Sequence, residues 1–317
     1  MTVTRGVTTG LALAALLAAC GGDGAEQNGA AADTSATAAD TGVVVAADAG
    51  LSTPESVLHD DAADVYLVSN INGQPLERDD NGFISRLRPD GSVVSLKWID
   101  GAAENVTLNA PKGMALKGDT LFVTDIDSVR AFHREGGQPL GARGVPNADF
   151  LNDLVVVGDV LYVSDTGVDA TFSPTGSAAI YRFTGTGAEV VARGDSLASP
   201  NGLAAQGGRL LVASFGSADV RRIDPGQGGA AGAGEVVATL PGGQLDGIIA
   251  FDDGSFLVSS WETSTVYHVT PAGEAHPVVQ DVESPADIGW DARRGRVLIP
   301  LFMRDRVEFH PIASRQE

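Results

Sequence analysis

The chain is poor in cysteine, in basic residues and in helical patterning. A single Cys among 317 residues excludes an internal disulfide. Lys and Arg total 21 against 41 Asp and Glu, and the formal net charge of −20 makes nucleic acid and anionic membrane surfaces poor partners. After residue 50 no stretch shows a long 3.6-residue periodicity, so the folded part is expected to be built from strands.

Two common hydrolase arrangements are missing as well. No G-x-S-x-G follows a strand and opens a helix, so a serine nucleophile elbow is not indicated. None of the five His residues lies in the repeated motif of this chain, so a His-based dyad is not supported either. The candidate chemistry therefore rests on carboxylates and amides.

Six short segments read alike, and their second positions recur every 40 to 57 residues. Each segment is followed by a turn and by an apolar run rich in β-branched and aromatic residues, which is typical of a buried strand. The segments are Pro54-Glu55-Ser56-Val57, Pro111-Lys112-Gly113-Met114, Leu151-Asn152-Asp153-Leu154, Pro200-Asn201-Gly202-Leu203, Leu245-Asp246-Gly247-Ile248 and Pro285-Ala286-Asp287-Ile288.

Six such units with four strands each predict an all-β fold, a six-bladed β-propeller of four antiparallel strands per blade. A sandwich or jelly roll does not predict six equivalent segments at near-even spacing. The run Gly42-Val43-Val44-Val45-Ala46 precedes the first unit, and we expect it to close the ring as the outer strand of the last blade. The propeller is predicted to span residues 42–317.

The first 41 residues have the pattern of an export signal and a tether. Arg5 precedes a short apolar run, and Leu17-Ala18-Ala19-Cys20 resembles a bacterial lipobox, which predicts a lipoprotein signal peptide over 1–19 and acylation of Cys20. A plain secretory signal is the alternative. Residues 20–41 are rich in Gly, Ala, Thr, Asp and Ser and are expected to form a flexible linker. The pattern predicts an exported protein, periplasmic or on the outer membrane, that contacts the membrane only through lipid on Cys20.

The second positions of the six segments predict a cation site. In a propeller the inner strands begin at one face of the central channel, so these six side chains are expected to surround the axis. In order they are Glu55, Lys112, Asn152, Asn201, Asp246 and Ala286. Two carboxylates and two amides favour Ca²⁺, with another divalent cation as the alternative, whereas Zn²⁺ or Cu²⁺ would need nitrogen or sulfur ligands. Asn and Asp also cap turns, which is the structural alternative for each residue alone.

Four of these segments resemble the motifs of the gluconolactonase, regucalcin and luciferin-regenerating-enzyme family of six-bladed propellers. The resemblance spans roughly residues 50–312 and rests on Pro54-Glu55, Leu151-Asn152-Asp153, Pro200-Asn201-Gly202-Leu203 and Leu245-Asp246-Gly247. It implies that Glu55, Asn201 and Asp246 hold a catalytic divalent cation and that Asn152 binds the cation or the substrate. The family hydrolyses lactones, and some relatives hydrolyse organophosphates.

Two residues depart from that family pattern. Phe150 stands where members that resemble regucalcin carry an Arg, and Phe cannot grip sugar hydroxyls or a carboxylate as Arg does. Lys112 places an ammonium on the ring beside the predicted metal. It is expected either to act on the substrate or to pair with Glu55, or else to extend its stem out of the channel.

The second strand of each blade should return to the same face and line the mouth of the channel. Its end is predicted to be polar in three blades and aromatic in the other three, at Asn70, Asp125, Asp165, Phe215, Trp261 and Phe302. Such a mouth suits an amphipathic small molecule. The sequence thus predicts a Ca²⁺-dependent lactone or ester hydrolase with Asp246 as base or nucleophile. The alternative is a non-catalytic, metal-stabilised propeller that binds a small molecule or a partner protein.

Overall fold

A computed structural model describes residues 42–185, 187–226 and 232–312. The predicted signal peptide, Cys20 and the linker lie outside the described residues. Within these ranges no helix has the length and apolarity needed to cross a membrane.

The described chain forms 24 strands and two short 3-10 turns, Asp195–Leu197 and Phe302–Arg304. In chain order the strands are β1 (Val44–Ala46), β2 (Pro54–Asp60), β3 (Val65–Asn70), β4 (Phe83–Leu87), β5 (Val93–Asp100), β6 (Pro111–Lys117), β7 (Thr120–Asp125), β8 (Ser128–His133), β9 (Pro139–Gly144), β10 (Leu151–Val157), β11 (Val160–Asp165), β12 (Ala179–Thr184), β13 (Gly187–Arg193), β14 (Pro200–Gln206), β15 (Arg209–Ser214), β16 (Asp219–Ile223), β17 (Glu235–Thr239), β18 (Leu245–Ala250), β19 (Phe256–Ser260), β20 (Thr265–Val269), β21 (Ala275–Val279), β22 (Gly289–Asp291), β23 (Arg296–Leu301) and β24 (Arg306–Pro311).

These strands form six four-stranded antiparallel sheets, which confirms the predicted six-bladed propeller. Five blades take four consecutive strands each, beginning with the inner strands β2, β6, β10, β14 and β18. The sixth blade has the order β1-β24-β23-β22, so the start of the described chain supplies its outer strand. Val45 pairs with Glu308 in this sheet, as the predicted ring closure requires.

Apolar side chains of neighbouring blades pack against each other and form the core between the sheets. Ile180 of the third blade, for example, lies in one buried cluster with Leu203 and Val212 of the fourth. Strands buried on both faces read as continuous apolar runs, which is why the sequence shows such runs rather than strict alternation.

Each of the first five inner strands contains a β-bulge at the repeated motif. In β10, Leu151 pairs with Asp165 and Leu154 with Val163, so three steps on the inner strand match two on its partner. The same irregularity occurs at the motif in β2, β6, β14 and β18. A bulge bends the strand and re-aims its side chains, so the residues at the motif leave the regular ladder and turn towards the axis.

Glycine follows the ring residue where the backbones of adjacent inner strands come very close. A Cβ at Gly202 would lie 2.1 Å from the carbonyl oxygen of Asp246, and one at Gly247 would lie 2.2 Å from the amide nitrogen of Ile288. Any side chain there would push neighbouring blades apart at the axis.

We expect Gly202→Ala to destabilise the fold by about 1–3 kcal/mol, because its Cβ has no room beside the Asp246 backbone. Gly144→Ala at the end of β9 is the matched control, since the nearest atom to its Cβ lies 4.0 Å away. Urea unfolding of both variants at one pH measures the difference. Equal stability of the two variants would contradict the close approach.

Candidate functional site

Five of the six ring residues line one cavity at the axis of the propeller. The residues that face it are Glu55, Lys112, Asn152, Asn201 and Asp246, and it opens at the end where the inner strands begin. All five side chains are buried. The sixth position, Ala286, is buried too, but it does not line the cavity and precedes the regular part of β22. The structure therefore brings the four predicted metal ligands together.

Each of these four residues has one buried oxygen without a hydrogen-bond partner in the described part of the chain. The atoms are Glu55 Oε2, Asn152 Oδ1, Asn201 Oδ1 and Asp246 Oδ1. Buried polar atoms in folded proteins are nearly always paired, because an unpaired one costs about 1–3 kcal/mol. Four such oxygens in one cavity are the donor set that a hard cation needs.

Within the described ranges, no group of three or more His, Cys, Asp and Glu side chains is arranged to hold a metal ion. The ring falls outside that type of site because only two of its four unpaired oxygens come from carboxylates. Any cation held here would depend on the two amides.

The ring carboxylates are held in a setting that favours their neutral form. Burial raises the pKa of Glu55 well above its usual range, and the charges of Asp246 and Asp287 raise it further. Burial and the charge of Asp287 raise the pKa of Asp246 in the same way. Trp261 and Asn201 approach Asp246 as donors and partly oppose the shift, although the Trp261 indole makes no well-formed hydrogen bond among the described residues.

Two further buried carboxyls lie next to the ring, and the sequence reasoning did not single them out. Asp153 and Asp287 each follow a ring position directly, and the pKa of each is raised, mainly by burial. That of Asp287 rises to about 7. Ser56 Oγ donates to Asp287 over 2.5 Å, and the backbone amide of Leu203 donates to Asp153 over 2.6 Å. These two residues link neighbouring inner strands, and the Asp that directly follows the ring position in two of the six segments was the sequence signal for them.

Hydroxyl groups from second strands hold the ring residues in place across the gaps between blades. Thr124 donates to the backbone oxygen of Asn152, and Ser164 donates to that of Asn201 over 2.6 Å. Thr166 acts on a side chain instead: its Oγ1 accepts from Asn152 Nδ2 at 3.1 Å and donates to the Pro200 oxygen at 3.0 Å. Because the amide nitrogen is bound in this way, Asn152 Oδ1 is left for the cavity.

Lys112 does not extend out of the channel, since only 1% of it is exposed. Its Nζ donates to the backbone oxygens of Pro75 at 2.9 Å and Ala110 at 3.0 Å, and it lies 4.5 Å from the centre of the Phe150 ring. Burial lowers the pKa of Lys112 to about 8, while the charge of Glu55 opposes the shift. Lys112 is therefore a buried cation that donates hydrogen bonds to two backbone oxygens and is attracted by the charge of Glu55.

Asp125 and Asp165 do not line the mouth, contrary to the sequence prediction. Asp125 accepts the backbone amide of Ala110 at 2.8 Å and also binds Arg130, and Asp165 accepts the amides of Phe150 and Gly167 at 3.0 Å each. Both carboxylates hold the loop that leads into an inner strand. Asn70 has the same role, because its Oδ1 accepts the amide of Ser52.

The residues that do face the cavity from these strand ends come one position later, at Ile71 and Thr166, in line with Phe215, Trp261 and Phe302. Successive residues of a strand point to opposite sides, so a shift of one position exchanges polar for apolar groups. The mouth is consequently far more apolar than predicted. Phe150 and Trp261 lie where the sequence placed them, and Phe172 completes an aromatic wall that the sequence reasoning missed.

The fold is shared with solved structures of low sequence identity. A gluconolactonase from Xanthomonas campestris aligns with a TM-score of 0.62 and 19% identity over 83% of this chain and 86% of its own. A second protein, provisionally assigned as a gluconolactonase, gives 0.64 and 18% over 86% and 93% of the two chains. A streptogramin B lyase gives 0.57 and 13% over 82% and 94%. No protein-family model matches the chain, and no curated protein matches it in sequence.

We expect the free energy of unfolding of the metal-free protein to fall by about 2–4 kcal/mol from pH 5 to pH 7.5. The buried carboxyls at the axis have a raised pKa, so the folded state keeps their protons after the unfolded chain has released them. Stability is therefore greatest below the pKa that these carboxyls have in the unfolded chain, and it is lost as the pH rises. Asp60 and Asp291 have a lowered pKa and change stability only below this window. Chemical unfolding in chelator measures the slope, and Asp287→Asn should flatten it. A stability that rises across this range would contradict the assignment.

Proposed function

We propose that the chain is a Ca²⁺-dependent hydrolase of lactones or esters that acts at the central ring. Glu55, Asn152, Asn201 and Asp246 would hold the ion. The observation that carries this proposal is the set of four buried oxygens, one from each residue, that have no hydrogen-bond partner among the described residues. A cation would satisfy all four at once and would remove the cost of burying them.

Calcium suits this donor set better than the alternatives. All four atoms are carboxylate or amide oxygens, which hard cations prefer, and no His or Cys of the described residues lines the cavity. Two carboxylates balance the charge of one divalent ion. Burial raises the pKa of Glu55 and of Asp246, the charges of neighbouring carboxylates raise both further, and a cation would counteract these effects.

The reaction would use the ring residues in distinct roles. A bound Ca²⁺ would polarise the carbonyl oxygen of the substrate and lower the pKa of an adjacent water. Asp246 is the best candidate to accept the proton of that water, because its carboxylate faces the cavity beside the proposed ion. Asn152 is oriented by Thr166, so its amide oxygen keeps one direction throughout the reaction.

The second candidate function is a non-catalytic propeller in which the ion only stabilises the channel. The same unpaired oxygens favour it, since an ion would satisfy them whether or not a substrate binds. Export as a lipoprotein, with the membrane contacted only through Cys20, fits either function and stays part of the proposal.

Asp246→Asn should lower Ca²⁺ affinity at least tenfold and abolish turnover of lactones and aryl esters, because it removes one of the two ligand charges and the proposed base. Calorimetric titration with Ca²⁺ and a turnover assay measure the two effects. Asp159→Asn is the matched control, because that exposed carboxylate lies away from the ring.

The outcomes separate the two functions. Loss of turnover with retained Ca²⁺ binding in Asp246→Asn would assign the base directly. If chelation lowers the melting temperature and no ester or lactone is ever turned over, the ion is structural. If Ca²⁺ binding survives Asn201→Ala and Asp246→Ala together, the ring does not hold the ion.

Thr166→Val should lower Ca²⁺ affinity by about 10- to 100-fold, because the amide of Asn152 loses the hydroxyl that orients it. Thr166→Ser keeps that hydroxyl and should restore most of the affinity. Calorimetric titration compares the three proteins, and thermal melts in chelator verify that they are folded. Equal affinity in Thr166→Val and the parent protein would show that Asn152 needs no such orientation.

A further inference from the structure

A second cavity adjoins the one above the ring and shares three of its lining residues, Pro75, Phe150 and Phe172. It lies between residues 74–77 of the first blade and residues 169–172 of the third. The two cavities are therefore neighbours: the inner cavity, above the ring, holds the four unpaired oxygens, and the second is the outer cavity.

The outer cavity offers mainly apolar contacts. Leu76 and Ala170 line it beside the three shared residues. Asp169 also borders it, but its Oδ1 accepts the amides of Thr171 at 2.8 Å and Ser173 at 3.1 Å within its own loop. The charge of Asp169 is thus used by the loop. Gln74 and Glu77 also border the cavity, and both are exposed to solvent. A hydroxylated substrate would find few partners on the rest of the wall, and unpaired hydroxyls are costly to bury.

Phe172 stands at the border of the two cavities with 51% of its surface exposed. Its φ of 58° is unusual for an aromatic residue. The ring lies 6.1 Å from that of Phe150 and 6.3 Å from that of Phe215. A half-exposed aromatic ring that continues a buried aromatic wall is apolar surface that a ligand can cover.

Lys112 fixes the opposite wall of the outer cavity. Its Nζ donates to the backbone oxygen of Pro75 and lies over the aromatic ring of Phe150. One buried cation at the axis therefore contacts two of the residues that line both cavities. The position of the outer cavity relative to the four oxygens is thereby held by a direct contact.

We propose that the outer cavity binds the apolar tail of the substrate, an alkyl chain or an aryl group, while the carbonyl group lies at the ring. This inference takes the position of the reacting carbonyl from the proposed function. The tail itself is assigned from the apolar lining, the shared residues and the exposed face of Phe172.

The test is a chain-length series of γ-butyrolactone, γ-octalactone and γ-dodecalactone, with glucono-δ-lactone as the hydroxylated comparison. Binding is measured in chelator from the change in Trp fluorescence, since Trp261 lines the inner cavity. We expect affinity to rise about fourfold for each methylene that enters the outer cavity. Affinity that is independent of chain length would overturn the proposal.

Two variants examine the cavity directly. Ala170→Phe should fill the outer cavity, weaken the binding of γ-dodecalactone at least tenfold and leave the binding of γ-butyrolactone unchanged. Ala142→Phe on the exposed strand β9 is the matched control. Phe172→Ala should weaken only the longer lactones. An equal loss for short and long lactones in Ala170→Phe would overturn the assignment of the tail to this cavity.

Turnover with Ca²⁺ separates this inference from the proposed function. Chain-length-dependent binding without any turnover would leave the tail site standing and reject the hydrolase. Equal kcat/KM for glucono-δ-lactone and γ-dodecalactone would support the hydrolase and reject the tail site.

Discussion

The convergence of inner strands on one axis is the constraint on which the rest of the site depends. Burial there raises the pKa of Glu55, Asp153, Asp246 and Asp287, and the charge of Asp287 raises the pKa of the other three further. Carboxylates buried in this way cost stability unless they are neutral or paired with cations. The axis therefore has a cost in stability, and the proposed cation would reduce that cost.

Asp291 shows that the same fold can pair a buried carboxylate completely. It lies where the sixth blade meets the first. Burial alone would raise its pKa, but hydrogen bonds from Tyr66 and Arg294 outweigh burial and lower it. Arg296 also donates to Tyr66. This network joins the two ends of the ring and leaves the Asp291 carboxylate paired. Burial of a carboxylate in this fold therefore does not by itself leave it unpaired, whereas four unpaired oxygens gather in the one cavity at the axis.

The blades and the ring positions could be predicted because they repeat in the sequence. The mouth could not, because a difference of one residue along a strand reverses the side on which a side chain lies. That reversal moved Asp125 and Asp165 from the mouth into loop hydrogen bonds and brought Ile71 and Thr166 to the cavity.

Contacts between blades could not be predicted from the sequence either. The hydroxyl of Thr166 meets Asn152 on the same blade and Pro200 on the next. Phe172 reaches the cavity only through the conformation of its loop. Neither arrangement has a spacing or composition that marks it in advance.

The two departures from the family pattern, Lys112 and Phe150, are one structural unit. The ammonium of Lys112 lies over the Phe150 ring, where a guanidinium at position 150 would instead place two buried cations side by side. Lys112 on the ring of the propeller therefore disfavours an Arg at position 150, the side chain that would bind sugar hydroxyls. The aromatic ring that takes its place also forms a wall of both cavities. Lys112 and Phe150 thus have one physical basis: the buried ammonium favours an aromatic ring at position 150, and that ring gives both cavities an apolar wall.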